Sequence, residues 1–144
     1  MKLGYRLIHP LATAPKFANP GGACFDVASA EALYLVPGCV HKVHTGLKFD
    51  IPEGYELRMY SRSGHGMKGI SLANSVGVID SGYTGELIVL LRNESREAFH
   101  VRVGDRIAQA QLKRLEQYDL VQIEAITKTT ERGDGGFGST GVKS

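Results

Sequence analysis

The chain has 144 residues, of which 42% are apolar and 22% charged, and it carries a formal net charge of +2. That length and balance fit one compact domain with an ordinary core. Charge spread without a basic run argues against a polymeric nucleic-acid partner held through phosphates and leaves a small anionic ligand open.

Apolar runs such as 87–91 fall far short of a membrane span. The N-terminus lacks a basic region followed by an apolar run and a cleavage site, so neither a membrane partner nor processing is expected. Cys24 and Cys39 match neither a disulfide framework nor a CxxC pair, which suits the reducing cytoplasm. Glycine is in excess, 18 of 144 against roughly 7% in average proteins, and it clusters at 64–85 and 133–141. Such clusters mark turns or close approach of backbone to a ligand.

In chain order, Tyr5-Arg-Leu-Ile8 alternates as a first strand and is followed by a loop punctuated by Pro10, Pro15 and Pro20. Phe25-Asp-Val27 reads as a short strand that sets Asp26 between apolar side chains, a carboxylate either satisfied by turn amides or functional. Val36-Pro-Gly38 is a turn, and the stretch 40–49 alternates over much of its length. Tyr55-Glu-Leu-Arg-Met-Tyr60 alternates again. Turn signals recur near every tenth residue and no window keeps an apolar period of 3.6, so the fold class is all-β, a sandwich or barrel, with at most one helical turn near 64–69.

Arg62-Ser63-Gly64 follows a strand end. A guanidinium, a hydroxyl and free backbone N–H groups beside a glycine are the donors a phosphate chain needs, though the tripeptide alone is a weak signal. Val78 and Ile79 read as a short buried strand and Ser81-Gly82 as a hairpin reversal, with 87–91 returning as its partner. Asp80 then stands at the hairpin rim, facing a cleft, and reads equally well as an Asx-type turn residue.

Phe99-His-Val-Arg-Val103 alternates, and 107–112 forms a strand with Gln109 and Gln111 on one face. A glutamine there can bind an anion through its NH₂ group or satisfy a neighbour. The segment 120–126 is expected to end the packed body. His41 and His44 lie on opposite faces of a strand pattern, a poor metal pair, and His9, His65 and His100 are expected to be solvated.

The last segment, Arg132-Gly-Asp-Gly-Gly-Phe-Gly-Ser-Thr-Gly141, has five glycines in ten residues. Its P-loop likeness fails because Ser139 stands in the lysine position and no helix can follow. Phe137 offers a ring to stack on a base, with Arg132, Ser139 and Thr140 as phosphate donors, so a flexible lid over 128–144 is expected on a body over 1–127.

Five segments in order resemble the motifs of the trimeric dUTP pyrophosphatases, the dUTPases: Ala23-Cys-Phe-Asp-Val27, Ser61-Arg-Ser-Gly64, Gly77-Val-Ile-Asp-Ser-Gly-Tyr-Thr-Gly-Glu86, Gly104-Asp-Arg-Ile-Ala-Gln109 and the terminal segment. The third and fifth are highly specific. The resemblance implies a distorted β jelly roll assembling as a homotrimer with shared active sites. It also implies hydrolysis of dUTP to dUMP and pyrophosphate with Mg²⁺, which limits uracil incorporation into DNA and supplies dUMP.

By that resemblance Asp80 activates the water that attacks the α-phosphorus, and Tyr83 lies against the deoxyribose. Asn74 and backbone from Val78 and Ile79 round to Ile88 read uracil. Arg62, Ser63, Gly64 and Gln109 take phosphates, and Asp26 holds the metal through water. Phe137 and Gly138 close over the base, while Arg132, Ser139 and Thr140 reach the terminal phosphates. Asp105 is expected as a structural partner of an arginine such as Arg62.

Cys24 stands where many relatives have glycine, and His65-Gly-Met67 replaces apolar residues, a variation also met among viral members. The location implied is the cytoplasm, or host cytoplasm for a viral source. Two alternatives remain: dCTP deaminase, whose general base would fall where this chain has Leu90, and a nucleotide-sensing regulatory binding protein.

Overall fold

Alternating apolar and polar side chains set the strands of the computed structural model, which describes residues 1–137 and Ser139. In chain order the strands are β1 (Gly4–Leu7), β2 (Lys16–Phe17), β3 (Phe25–Ala28), β4 (Leu33–Leu35), β5 (Val40–His44), β6 (Leu47–Asp50) and β7 (Tyr55–Tyr60). One helical turn, α1 (Ser63–Gly66), precedes β8 (Ile70–Leu72), β9 (Gly77–Asp80), β10 (Ile88–Asn93), β11 (Phe99–Val101) and β12 (Arg106–Arg114).

These strands build a distorted jelly roll. The largest sheet runs β2-β3-β12-β7-β9, a second runs β5-β10-β8, and two ribbons, β1-β6 and β11-β4, complete the body. Inner faces meet in one core that includes Val27, Leu35, Val43, Leu47, Leu57, Ile70, Val89, Leu91, Val101 and Ile107. Each such side chain contributes about 1.5–3 kcal/mol by leaving water. The polar exceptions are satisfied: buried Asn93 donates through Nδ2 to the Leu35 and Glu97 carbonyls and accepts the Ser95 N–H.

The stretch 40–49 is two strands, not one. It breaks at Thr45-Gly46, where Gly46 has φ +65° and lies hard against His9 and Ala12, so a Cβ has no room there.

The expected hairpin is corrected. β9 pairs with β7 and β10 pairs with β5 and β8, so the two strands flanking Ser81-Gly82 lie in different sheets and share no ladder. Gly82 is not among the glycines with positive φ. The chain instead crosses the sandwich through a turn closed by Tyr83 N–H to the Asp80 carbonyl (3.1 Å). It is caught on the far side by Leu87 N–H on the Leu47 carbonyl (2.8 Å). β9 is thus an edge strand, which is why Val78 is 53% exposed and not buried.

The segment 120–126, expected to end the packed body, has no strand, and Leu120, Val121, Ile123 and Ile126 are exposed. Packing within the chain ends with β12, whose neighbours β3 and β7 leave no edge for another strand.

Candidate active site

The candidate site residues before the terminal segment gather into two cavities. The first, of about 210 Å³, has an apolar floor of Met59, Ile79, Leu87 and Ile88, and its walls include Asn74, Val78, Tyr83 and Glu86. Asp80 stands exposed on its rim, at the end of β9 and opposite Glu56 in the β7–β9 ladder. The volume is below the roughly 300–1,000 Å³ of a complete small-molecule pocket. It suits part of a ligand, such as a base with its sugar.

Local packing fixes those walls. Asn74 Nδ2 lies 3.2 Å from where a Cβ on Gly77 would stand, so the glycine lets the amide approach the β9 backbone. Tyr83 donates its hydroxyl to the Glu86 carbonyl (2.8 Å) and lays its ring over Gly85. The Glu86 carboxylate accepts the Gly46 N–H (2.8 Å) and pairs with His44 Nδ1 (2.9 Å). Burial pushes the Glu86 carboxyl upward, but the bonds from His44 and Gly46 outweigh it and hold its pKa below the ordinary value. The same pairing raises the pKa of His44.

The second cavity, of about 440 Å³, is lined by Asp26, Arg62, Ser63, Gly64, Arg106 and Gln109 among others. β3 and β12 set Asp26 opposite Gln109, and β7 delivers Arg62 at its end. Arg62 Nε meets Asp26 Oδ1 at 3.2 Å and Arg106 Nη1 meets Oδ2 at 3.1 Å, while Arg62 Nη1 donates to the Arg106 carbonyl (2.9 Å). α1 opens at Ser63 and Gly64, and first-turn N–H groups have no intrahelical acceptor. Open space surrounds Gly64, so a ligand can reach that backbone. Gln109 Nε2 holds the Ser61 carbonyl at 2.9 Å. Two guanidiniums, a hydroxyl, an amide and backbone N–H groups around open space make an anion cradle. Cys24 borders it, with burial raising its thiol pKa.

Two expectations change here. Asp105 does not pair with Arg62; its carboxylate accepts the Arg102 N–H (2.9 Å) and closes the turn into β12, while Arg62 spends its charge on Asp26. His65 is not solvated, since its ring meets Phe99 edge-on and its Nδ1 is buried without a partner. Burial first, then Arg62 and Lys68, lower its pKa. His100 is exposed, as expected, and stacks on Tyr34 with ring centroids 4.4 Å apart.

Asp26 also differs from a direct metal ligand. Both its oxygens face guanidiniums, and among the described residues no three His, Cys, Asp or Glu side chains group as a metal site. That donor set fits a Mg²⁺ carried on phosphates and reached through water, and does not fit a protein cage.

In the terminal segment, Arg132 Nε donates to the Gly135 carbonyl (2.9 Å) and Phe137 is fully exposed; neither residue, nor Ser139, lines either cavity. Gly138 and Thr140 lie outside the described residues. Sequence reasoning missed Met59, Glu86 and Leu87 as cleft residues. Met59 was findable only through the β7–β9 register, where it faces Gly77.

The dUTPase family model matches residues 11–141. The chain is 42% identical to the deoxyuridine 5'-triphosphate nucleotidohydrolase of Wolinella succinogenes, covering 98% of this chain and 95% of that one. It is 38% identical to the Helicobacter pylori protein of the same name, covering 99% and 98%. Among solved structures, the Staphylococcus bacteriophage 80alpha dUTPase with dUPNHPP superposes with a TM-score of 0.89 at 28% identity, covering 98% of this chain and 99% of that one. A mutant dUTPase of phage phi11 of S. aureus, described as revealing the coordination of a structural Mg(II) ion, gives 0.80 at 26% identity, with coverage of 87% and 98%. Matched by that model along most of its length and by these relatives nearly end to end, the chain belongs to the dUTPase family.

Proposed function

We propose that the protein hydrolyses dUTP to dUMP and pyrophosphate, with Asp80 as general base. The observation that carries this reading is the position of Asp80, a carboxylate on the rim of a cleft walled by Asn74 and Tyr83, in a chain of this family. A small apolar floor with a few convergent polar groups suits a pyrimidine nucleoside. Asn74 and the β9 backbone at Val78 and Ile79 read the uracil edge, and Ile88 closes the floor. Tyr83, fixed by its bond to Glu86 and by Gly85, leaves no room for a 2′-OH.

Asp80 takes a proton from a water aimed at the α-phosphorus. The phosphates are held by Arg62, Ser63, Gly64 and Gln109, whose charges and N–H groups offset the developing negative charge. Mg²⁺ bound to the triphosphate neutralises part of that charge. Asp26, which keeps Arg62 and Arg106 aligned, would hold that ion through water. Phe137 and Gly138 cap the base, and Arg132, Ser139 and Thr140 meet the outer phosphates, expelling water.

The functional unit is a homotrimer with shared sites. Its support is that the Asp80 cleft and the Asp26–Arg62 cradle of one chain have no lining residue in common. Asp80 lies opposite Glu56 near the start of β7 and Arg62 follows its other end, so the two halves of one chain sit at opposite ends of that strand, and a site shared between copies brings a cleft and a cradle together. The exposed side chains of Leu120, Val121, Ile123 and Ile126 give such copies apolar surface to bury. No helix among the described residues is long and apolar enough to cross a membrane, and we assign the protein to the cytoplasm.

The test is pyrophosphate release from dUTP, dTTP, dCTP and UTP side by side, with dUTP the one efficient substrate. Ammonia release from dCTP at a comparable rate would overturn the reading in favour of a deaminase. Binding of dUTP without turnover would favour a nucleotide sensor.

A further inference from the structure

We infer that His44 and Glu86 form a proton-dependent positioning pair for the sugar-facing wall of the Asp80 cleft; this rests on the reading of that cleft as the deoxyuridine site. The wall between Tyr83 and Leu87 crosses from one sheet to the other and has no ladder to hold it. It is fastened instead to the β5–β6 connection. The Gly46 N–H meets Glu86 Oε1 (2.8 Å), His44 Nδ1 meets Oε2 (2.9 Å), and the Thr45 hydroxyl donates to the Leu87 carbonyl. The Glu86 carbonyl in turn accepts the Tyr83 hydroxyl. One residue therefore links His44 on its carboxylate side to Tyr83 on its backbone side.

Glu86 is also a partition. It lines the Asp80 cleft and, on the other side, a second cavity of about 230 Å³ shared with His9, Glu31, His44 and Gly46. The groups around the His44 imidazole are Glu86 from the wall, Glu31 and His9 from the loops that line this second cavity, and Lys42 on its own strand. Glu31 Oε1 also takes the His44 backbone N–H (2.6 Å). The two carboxylates favour the imidazolium and Lys42 opposes it; the bond to Glu86 is the largest cause, and the imidazolium is favoured on balance. While His44 is charged, the link is charge-assisted and the wall is stiff. When it loses its proton the ion pair falls to a weaker hydrogen bond with only the carboxylate charged, Tyr83 gains freedom, and a 2′-hydroxyl is excluded less well.

The readout is kcat/KM for dUTP divided by that for UTP, followed from about pH 6 to about pH 8.5 in the full chain. The phosphates and the uracil are common to both substrates, so pH effects shared by the two reactions cancel in the ratio. The ratio should fall roughly two- to fivefold as pH rises, the difference between an ion pair and a hydrogen bond with one charged partner at a solvent-facing site. His44→Gln, which keeps a neutral donor, should hold the ratio at its high-pH value throughout. His44→Lys, which keeps a cation across this range, should hold it near its low-pH value. A pH-independent ratio in the unmodified protein, or an unchanged fall in either variant, overturns the pair's role. Failure to hydrolyse dUTP at all overturns the assignment of the cleft, so the two failures are distinct.

Discussion

The ring of Tyr83 lies directly over Gly85: a Cβ on that glycine would stand within 3.0 Å of the phenol oxygen, Cζ and Cε2. The glycine is required by contact, since its φ is not in the positive range. Gly85→Ala should therefore either destabilise the fold by about 1–3 kcal/mol or swing Tyr83 aside. Thermal melting reads the first outcome, and increased UTP hydrolysis reads the second. A variant with unchanged melting and unchanged substrate preference would mean that the ring does not rest there.

Asp80→Asn keeps the shape of the cleft rim and removes the base. Turnover should fall by about 10²–10⁴, while equilibrium binding of a non-hydrolysable dUTP analogue survives. Near-normal pyrophosphate release would take Asp80 out of its role.

Asp26 aligns two guanidiniums in the phosphate cradle, and its side chain is only 13% exposed. Removing it leaves Arg62 and Arg106 mutually repelling. Asp26→Ala should cost about 1–3 kcal/mol, between the values for exposed and buried pairs, and should raise both KM and the Mg²⁺ concentration needed for half-maximal rate. Denaturant melts and a metal titration measure the two effects.

The His44–Glu86 pair predicts a band of pH in which it stabilises the fold. Glu86 has a folded-state pKa below its ordinary 4.5, so its contribution is complete above 4.5 and is lost as pH falls through the lower folded value. His44 has a folded-state pKa above its ordinary 6.5, so its contribution is complete below 6.5 and is lost as pH rises through the higher folded value. The benefit is greatest between those two values. The difference in melting temperature between the unmodified protein and Glu86→Gln should peak there and shrink on both sides.

Truncation at Thr130 removes no core side chain among the described residues. The melting temperature and assembly size should persist, while kcat/KM falls on the order of 10²-fold, the scale of lost alignment of reacting groups. Unfolding on truncation would make the tail structural.

Much of this was readable from the linear chain, for identifiable reasons. β7 was legible because Leu57 and Met59 alternate with Glu56 and Arg58, and α1 because glycines break the strand after Arg62. The grouping of Asn74, Val78, Ile79, Asp80, Tyr83 and Ile88 was implied by the resemblance to the dUTPases, and one cleft holds them. Pairing partners were not legible: Ser81-Gly82 has the local chemistry of a hairpin, but bonds from Thr45 and Leu47, some 40 residues away, pull the outgoing strand into another sheet. Long-range ladders also hid the partners of Asp26, since Arg106 reaches it only through the β3–β12 register. The segment 120–126 looked like core because its apolar residues have nothing in their own chain to cover.

The homotrimer with shared sites proposed above would be divisible by genetics, since cleft and cradle have no residue in common. A chain lacking Asp80 still owns a sound cradle, and a chain lacking Arg62 still owns a sound cleft. Refolded together, two inactive populations should yield mixed assemblies in which some junctions draw one good half from each parent, and activity should reappear in proportion to the mixing.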